Sequence, residues 1–129
     1  MTDPPLISIV DDDEAVRTAM ESLVMSLGLA ARTFASAESF LQSSLLSDTA
    51  CLILDVQMHE MSGLQLAAHL SERGFDVPII FITAYPDKAE KASASNATTV
   101  QVLQKPFDEQ RLVESIDEAL RRKGSAPAV

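Results

Sequence analysis

The chain has 129 residues, 47% of them hydrophobic, with a single cysteine and a formal net charge of −9. That length holds one ordinary domain with a real core and excludes two, and the apolar content excludes a disordered chain. The acidic balance argues against an intrinsic nucleic-acid surface or adhesion to an anionic membrane. The segment Met1–Pro5 has neither a basic patch nor a long apolar stretch, so no signal peptide is expected, and no apolar run approaches transmembrane length. Cys51 has no partner for an intramolecular disulfide, which suits a reducing cytoplasm, the expected location.

Leu6–Val10 is a short apolar run that stops at Asp11, Asp12 and Asp13, and it reads as a strand. From Glu14 the period becomes helical, with Val16, Met20, Leu23, Val24 and Leu27 on one face, Asp13 as the cap and Gly28 as the stop. Ala31–Phe34 reads as a weaker strand, and Ser36 as the cap of a short helix carrying Phe40 and Leu41. Cys51–Leu54 is a buried strand that ends at Asp55 and leads through a loop to Gly63. Leu64, Ala67, Ala68 and Leu70 predict a helix ending near Gly74. Val77–Ile82 is the clearest buried strand, ending at Thr83; Val100–Gln104 is the last, ending at Lys105-Pro106.

Between these two strands, Asp87–Ser95 predicts a fourth helix whose Ala89, Ala92 and Ala94 bury little area, so a short or mobile helix is expected there. The final helix runs from Asp108 to Arg122, with Leu112, Val113, Ile116, Ala119 and Leu120 inward and basic residues in its last turn, where they complement the helix dipole. Residues 1–123 form the predicted domain, and Gly124–Val129 a tail or linker stub. Five strands alternating with five helices predict an α/β fold with a parallel sheet.

In such a sheet, ligands bind outside the carboxyl ends of the strands. The acids after the first strand, Asp55, Thr83 and Lys105 would therefore share one pocket. An Asp-Asp-Asp run alone is usually a solvated turn, and Thr83 and Lys105 taken singly are a strand end and a surface lysine. Together they form a constellation for a divalent cation and a phosphoryl group. Clustered carboxylates repel one another unless a cation joins them. Magnesium prefers few carboxylates and tolerates a phosphate oxygen, whereas zinc would want cysteine or paired histidine, which are missing nearby. Beside a cation Asp55 is a plausible nucleophile toward phosphorus, with Lys105 as a mobile charge and Thr83 as a hydroxyl donor.

These residues resemble the receiver domain of two-component response regulators. The resemblance rests on Val10-Asp11-Asp12-Asp13-Glu14, on Leu52-Ile53-Leu54-Asp55-Val56-Gln57-Met58 with Met61-Ser62-Gly63, on Ile82-Thr83-Ala84, and on Lys105-Pro106-Phe107, and it spans Leu6 to about Arg122. It implies a flavodoxin-like, doubly wound sheet of strand order 2-1-3-4-5. It implies that Asp55 accepts a phosphoryl group from a sensor histidine kinase or phosphotransfer protein, as a switch and not as a turnover enzyme. It implies Mg²⁺ held by Asp12 directly, by Asp11 mostly through water, by Asp55 and by the backbone carbonyl of Gln57. Thr83 and Lys105 would bind phosphoryl oxygens, the Lys105-Pro106 bond would be cis, and Asp13 would only cap the first helix. A downstream target, or a second copy, would dock on the face of the fourth helix, fifth strand and fifth helix, with no direct contact to nucleic acid or membrane.

Three features depart from the family. His59 stands where proline commonly follows Met58, and it reads as a solvent-exposed loop residue. Val102 stands where many members carry Tyr, Phe or His, which puts the usual threonine–aromatic relay in doubt. The alanine–serine composition of the fourth helix shifts the expected response to a change of order in Asp87–Thr98. Two alternatives are a degenerate receiver acting as a phosphorylation-independent scaffold and an aspartate-based phosphatase. The latter usually carries a second acid two residues after its nucleophile, where this chain has Gln57. A nucleotide or flavin module would need a glycine-rich loop, and the glycines at 28, 63, 74 and 124 never cluster.

Overall fold

A computed structural model describes residues 3–87 and 98–124 of the chain. Five strands, β1 (Leu6–Val10), β2 (Ala30–Phe34), β3 (Thr49–Asp55), β4 (Ile79–Thr83) and β5 (Thr99–Gln104), form one parallel sheet in the order β2-β1-β3-β4-β5. Four α-helices lie among the described residues: α1 (Glu14–Ser26), α2 (Ala37–Leu41), α3 (Gly63–Glu72) and α4 (Glu109–Gly124). The predicted fourth helix, Asp87–Ser95, falls almost wholly on residues 88–97, outside the described residues, as does all of the expected tail after Gly124.

The strands read as continuous apolar runs because both faces of the sheet are covered. Alternate residues then belong to different cores. Val10, Leu52, Leu54, Ile79 and Phe81 pack with Phe40 of α2 and with Leu66 and Leu70 of α3. Ile7, Ile9, Ile53, Ile80 and Ile82 pack with Met20 and Val24 of α1 and with Leu112, Ile116 and Ala119 of α4. Each large apolar side chain so buried contributes about 1.5–3 kcal/mol. At the edge, Phe34 and Phe40 meet edge to face with centroids 5.3 Å apart, which ties α2 to β2.

The helix starts follow from their caps. Asp13 Oδ1 accepts from Ala15 N at 2.9 Å and Val16 N at 3.2 Å, so Asp13 is the cap of α1. Gly28 follows the helix at φ +82°, in the left-handed region. Ser36 caps α2, and Ser62 and Gln65 close a capping box on α3. Asp108 Oδ1 accepts from Gln110 N and Arg111 N, so it caps α4 and stands just outside it.

Several expectations shift. Leu27 is on the predicted face of α1 but 40% exposed, because the helix has already ended at Ser26. On α3 the buried residues are Gly63, Leu66, Ala67 and Leu70, and Ala68 is exposed. The helix starts at Gly63, so i, i+3, i+4 and i+7 counted from there define the inward face. β3 starts at Thr49, two residues earlier than predicted, because Thr49 pairs with Leu6 and its hydroxyl meets the buried Ser8 hydroxyl at 2.7 Å. β4 starts at Ile79, after Pro78, which lacks an N–H for the ladder yet accepts from Leu52 N at 2.9 Å.

Candidate functional site

Because all five strands are parallel, their carboxyl ends share one edge of the sheet, and Asp11, Asp55, Thr83 and Lys105 stand there. Asp11 follows β1 directly; its N–H extends the ladder to Phe34 O at 3.1 Å. Its Oδ1 accepts from Asp13 N at 2.8 Å, and Arg17 Nη1 donates to its carbonyl oxygen at 2.7 Å. Asp55 closes β3 in register with Ile82, and Val56 N donates to Ile82 O at 3.0 Å just beyond. Lys105 N donates to Thr83 O at 2.8 Å, and the Lys105-Pro106 bond is cis, as the resemblance implied.

Gly63 is required by close approach. A Cβ there would lie 2.3 Å from the carbonyl oxygen of Asp55 and 3.0 Å from Val56 Cα, while Gly63 N donates to Val56 O at 3.0 Å. The first turn of α3 is thereby packed against the backbone that carries Asp55.

One carboxylate oxygen from each of Asp11, Asp12 and Asp55 lies within 4.8 Å of the others. Asp11 and Asp55 are 0% and 2% exposed, and the Asp12 side chain is 28% exposed. Lys105 Nζ stands 3.2 Å from Asp11 Oδ2 and 3.3 Å from Asp55 Oδ2. Asp11 Oδ2 makes no hydrogen bond besides this ion pair, so among the described residues the Lys105 ammonium is what compensates a buried anionic oxygen. Burial first, and then the Asp11 charge, push the Asp55 carboxyl up to about 6, against the opposing pull of Lys105 and the Gln57 N–H. For Lys105, burial works against the charge, but Asp11 and Asp55 outweigh it and hold the ammonium above its ordinary range.

Every side chain expected at the site stands at this edge. Several contacts of those residues were not expected. Thr83, fully buried, donates from Oγ1 to Gln57 Oε1 at 3.1 Å and accepts from Tyr85 N at 3.0 Å. Gln57, expected only through its carbonyl, thus engages Thr83 with its side chain and Asp55 Oδ1 with its N–H at 3.2 Å. His59 is exposed, as expected for a loop residue, yet its Nδ1 is 2.8 Å and its backbone N 3.2 Å from Asp12 Oδ2. No local pattern announces these pairs; His59 differed only by standing where a proline is usual. Val102 is 8% exposed and pairs with Phe81 in the sheet, so a small branched side chain fills that core position.

Comparison with known proteins agrees with this geometry. The family model described as the response regulator receiver domain matches residues 7–117. The chain is 42% identical over 114 residues to the transcriptional regulatory protein TdiR of Thauera aromatica, covering 88% of this chain and 50% of that protein. It is 43% identical over 128 residues to the response regulator protein TodT of Pseudomonas putida, covering 96% and 56%. The chain therefore spans about half the length of the curated relatives it matches. Among solved structures, that of the response regulator StyR superposes with a TM-score of 0.84 at 34% identity, covering 97% of this chain and 63% of the other. The signal receiver domain of an HD domain-containing protein from Pseudomonas fluorescens superposes at 0.85 with 25% identity, covering 95% and 98%. No helix among the described residues is long and apolar enough to cross a membrane. With its sheet order, its acidic pocket and a family match across residues 7–117, the chain belongs to the response regulator receiver domains of two-component systems.

Proposed function

We propose that the chain is a phosphorylation switch in which Asp55 accepts a phosphoryl group from a phosphohistidine on a sensor histidine kinase or phosphotransfer protein. The observation that carries this reading is the buried Asp55 carboxylate at the end of β3, 3.3 Å from Lys105 Nζ and grouped with Asp11 and Asp12. A carboxylate oxygen of Asp55 attacks phosphorus, the P–N bond breaks, and its electron pair stays on the imidazole of the donor. The product is an acyl phosphate. The domain of residues 1–123 acts as an acceptor that later loses its phosphate, and not as a turnover enzyme.

The donor set fits magnesium. It offers only oxygens, it brings three carboxylates to one place, and Asp11 Oδ2 is buried with no hydrogen bond beyond its ion pair with Lys105. Asp11, Asp12, Asp55 and the backbone carbonyl of Gln57 would hold the ion, which when bound supplies charge neutralisation on the transferred group. Lys105 balances the carboxylates of the resting pocket and is placed to turn to a phosphoryl oxygen. Thr83 must leave the Gln57 amide to donate to a second one. That exchange links phosphorylation to β4 and the adjoining β5–α4 face, where a downstream target or a second copy would dock. The relatives' names support a role in transcriptional regulation by a longer protein; the net charge of −9 supports no direct nucleic-acid contact by this domain. A cytoplasmic setting follows from this reading.

Incubation with acetyl phosphate and Mg²⁺, followed by intact mass, tests the proposal. One added phosphate, dependent on Mg²⁺, is the expected result; an unmodified protein would contradict it.

A further inference from the structure

His59 contacts the acidic pocket from outside. Its backbone N–H and its Nδ1 both reach Oδ2 of Asp12, at 3.2 Å and 2.8 Å. An ionised carboxylate only accepts, so Nδ1 carries a proton and donates it to Asp12. Both hydrogen bonds that Asp12 accepts among the described residues go to this one oxygen. Asp12 also supplies one of the three oxygens that come together in the pocket, and of the three acids its side chain is the most exposed. Asp11 is fixed by Asp13 N, and Asp55 by Gln57 N and Lys105. Among the described residues, the hydrogen bonds to the Asp12 side chain come from His59.

We propose that His59 is a positioning residue for the divalent cation: by holding Oδ2 of Asp12 at two points, it fixes the rotamer of the carboxylate that supplies one oxygen to the pocket. The inference rests on the magnesium site proposed above and assigns a role in it to a residue of this chain that is not itself a ligand. The physical reason is pre-organisation. A partly exposed aspartate in a loop samples several rotamers, and a cation that must select one binds more weakly. Hydrogen bonds to the far oxygen of a ligating carboxylate fix its rotamer without competing for the metal.

The test is Mg²⁺ titration of the free protein, followed by amide NMR signals, at a mildly alkaline pH where imidazole is neutral. His59→Ala keeps the backbone N–H and loses the ring. Its Mg²⁺ affinity is expected to fall about 3–10-fold, less than the roughly 10–100-fold typical of outer contacts of metal ligands, because this one is exposed. His59→Asn, whose amide N–H falls near the position of Nδ1, should recover most of that loss. A second readout needs no metal: the imidazole ¹⁵N shifts of the ion-free protein should report the Nδ1–H tautomer, reverting to the common Nε2–H form in Asp12→Ala. Equal or tighter binding in His59→Ala, or an Nε2–H tautomer in the unaltered protein, would overturn the role of His59 alone. Absence of any Mg²⁺ response in the unaltered protein would defeat the proposed function and this inference with it.

Discussion

Lys105 Nζ lies 3.3 Å from Asp55 Oδ2, and the same ammonium is 3.2 Å from Asp11 Oδ2. One cation on a flexible stem therefore stands between two buried carboxylates. Lys105→Ala removes it and leaves like charges facing each other. We expect this variant to lose about 1–3 kcal/mol at neutral pH, less than for a fully buried pair because the Lys105 side chain is 24% exposed. Protonation of the pocket relieves the repulsion, so the deficit should shrink in urea melts run in mild acid.

Asp55 itself carries a pH signature. Its carboxyl is raised from an ordinary 3.8 to about 6, first by burial and then by Asp11. Between those values the native state holds a proton that the unfolded chain has released. Asp55 therefore supports folding fully below its ordinary value, and this support is lost as pH rises through about 6. Asp55→Asn should melt at a higher temperature than the unaltered protein at neutral pH, and the gain should fade in mild acid.

Gly63→Ala tests the packing beneath Asp55. The new Cβ would meet the Asp55 carbonyl oxygen at 2.3 Å, and backbone cannot swing away as a side-chain tip can. A loss of about 1–3 kcal/mol is expected, with amide shifts at Asp55 and Gln57. Gly74→Ala is the control: there a Cβ meets nothing within 4 Å, but φ is +81°, so the cost of about 1–2 kcal/mol should leave the Asp55 signals in place.

The bond from Thr83 Oγ1 to Gln57 Oε1 is a measurable coupling. Gln57→Ala leaves a buried hydroxyl short of a partner and should cost about 1 kcal/mol. In a double-mutant cycle with Thr83→Val the two losses should not add; additive losses would show that the bond contributes nothing.

How much of this was legible in the sequence depends on whether the signal was local. The strand ends at Asp11, Asp55, Thr83 and Lys105 were readable because apolar runs stop at polar residues, and a parallel sheet gathers those ends on one edge. Asp13 and Ser36 were readable as caps because capping acts within a few residues of the helix start. What was misread involved counting or distance. Ala68 counts among the apolar residues that predict α3 but is exposed, because the capping box begins the helix at Gly63 and sets its inward face. Thr49 joins β3 only through its pairing with β1. His59 and Asp12 are 47 positions apart, and Gln57 and Thr83 26 apart, so only the folded register brings them together.

The central claim is that the carboxylate of Asp55 is the phosphoryl acceptor, and site mapping tests it most directly. The protein would be labelled with acetyl phosphate and Mg²⁺, reduced with borohydride to convert an acyl phosphate to the alcohol, digested, and sequenced by mass spectrometry. The account predicts homoserine at position 55 and none in Asp55→Asn. Reduction at Asp11, Asp12 or Asp13 instead, or labelling that persists unchanged in Asp55→Asn, would contradict it.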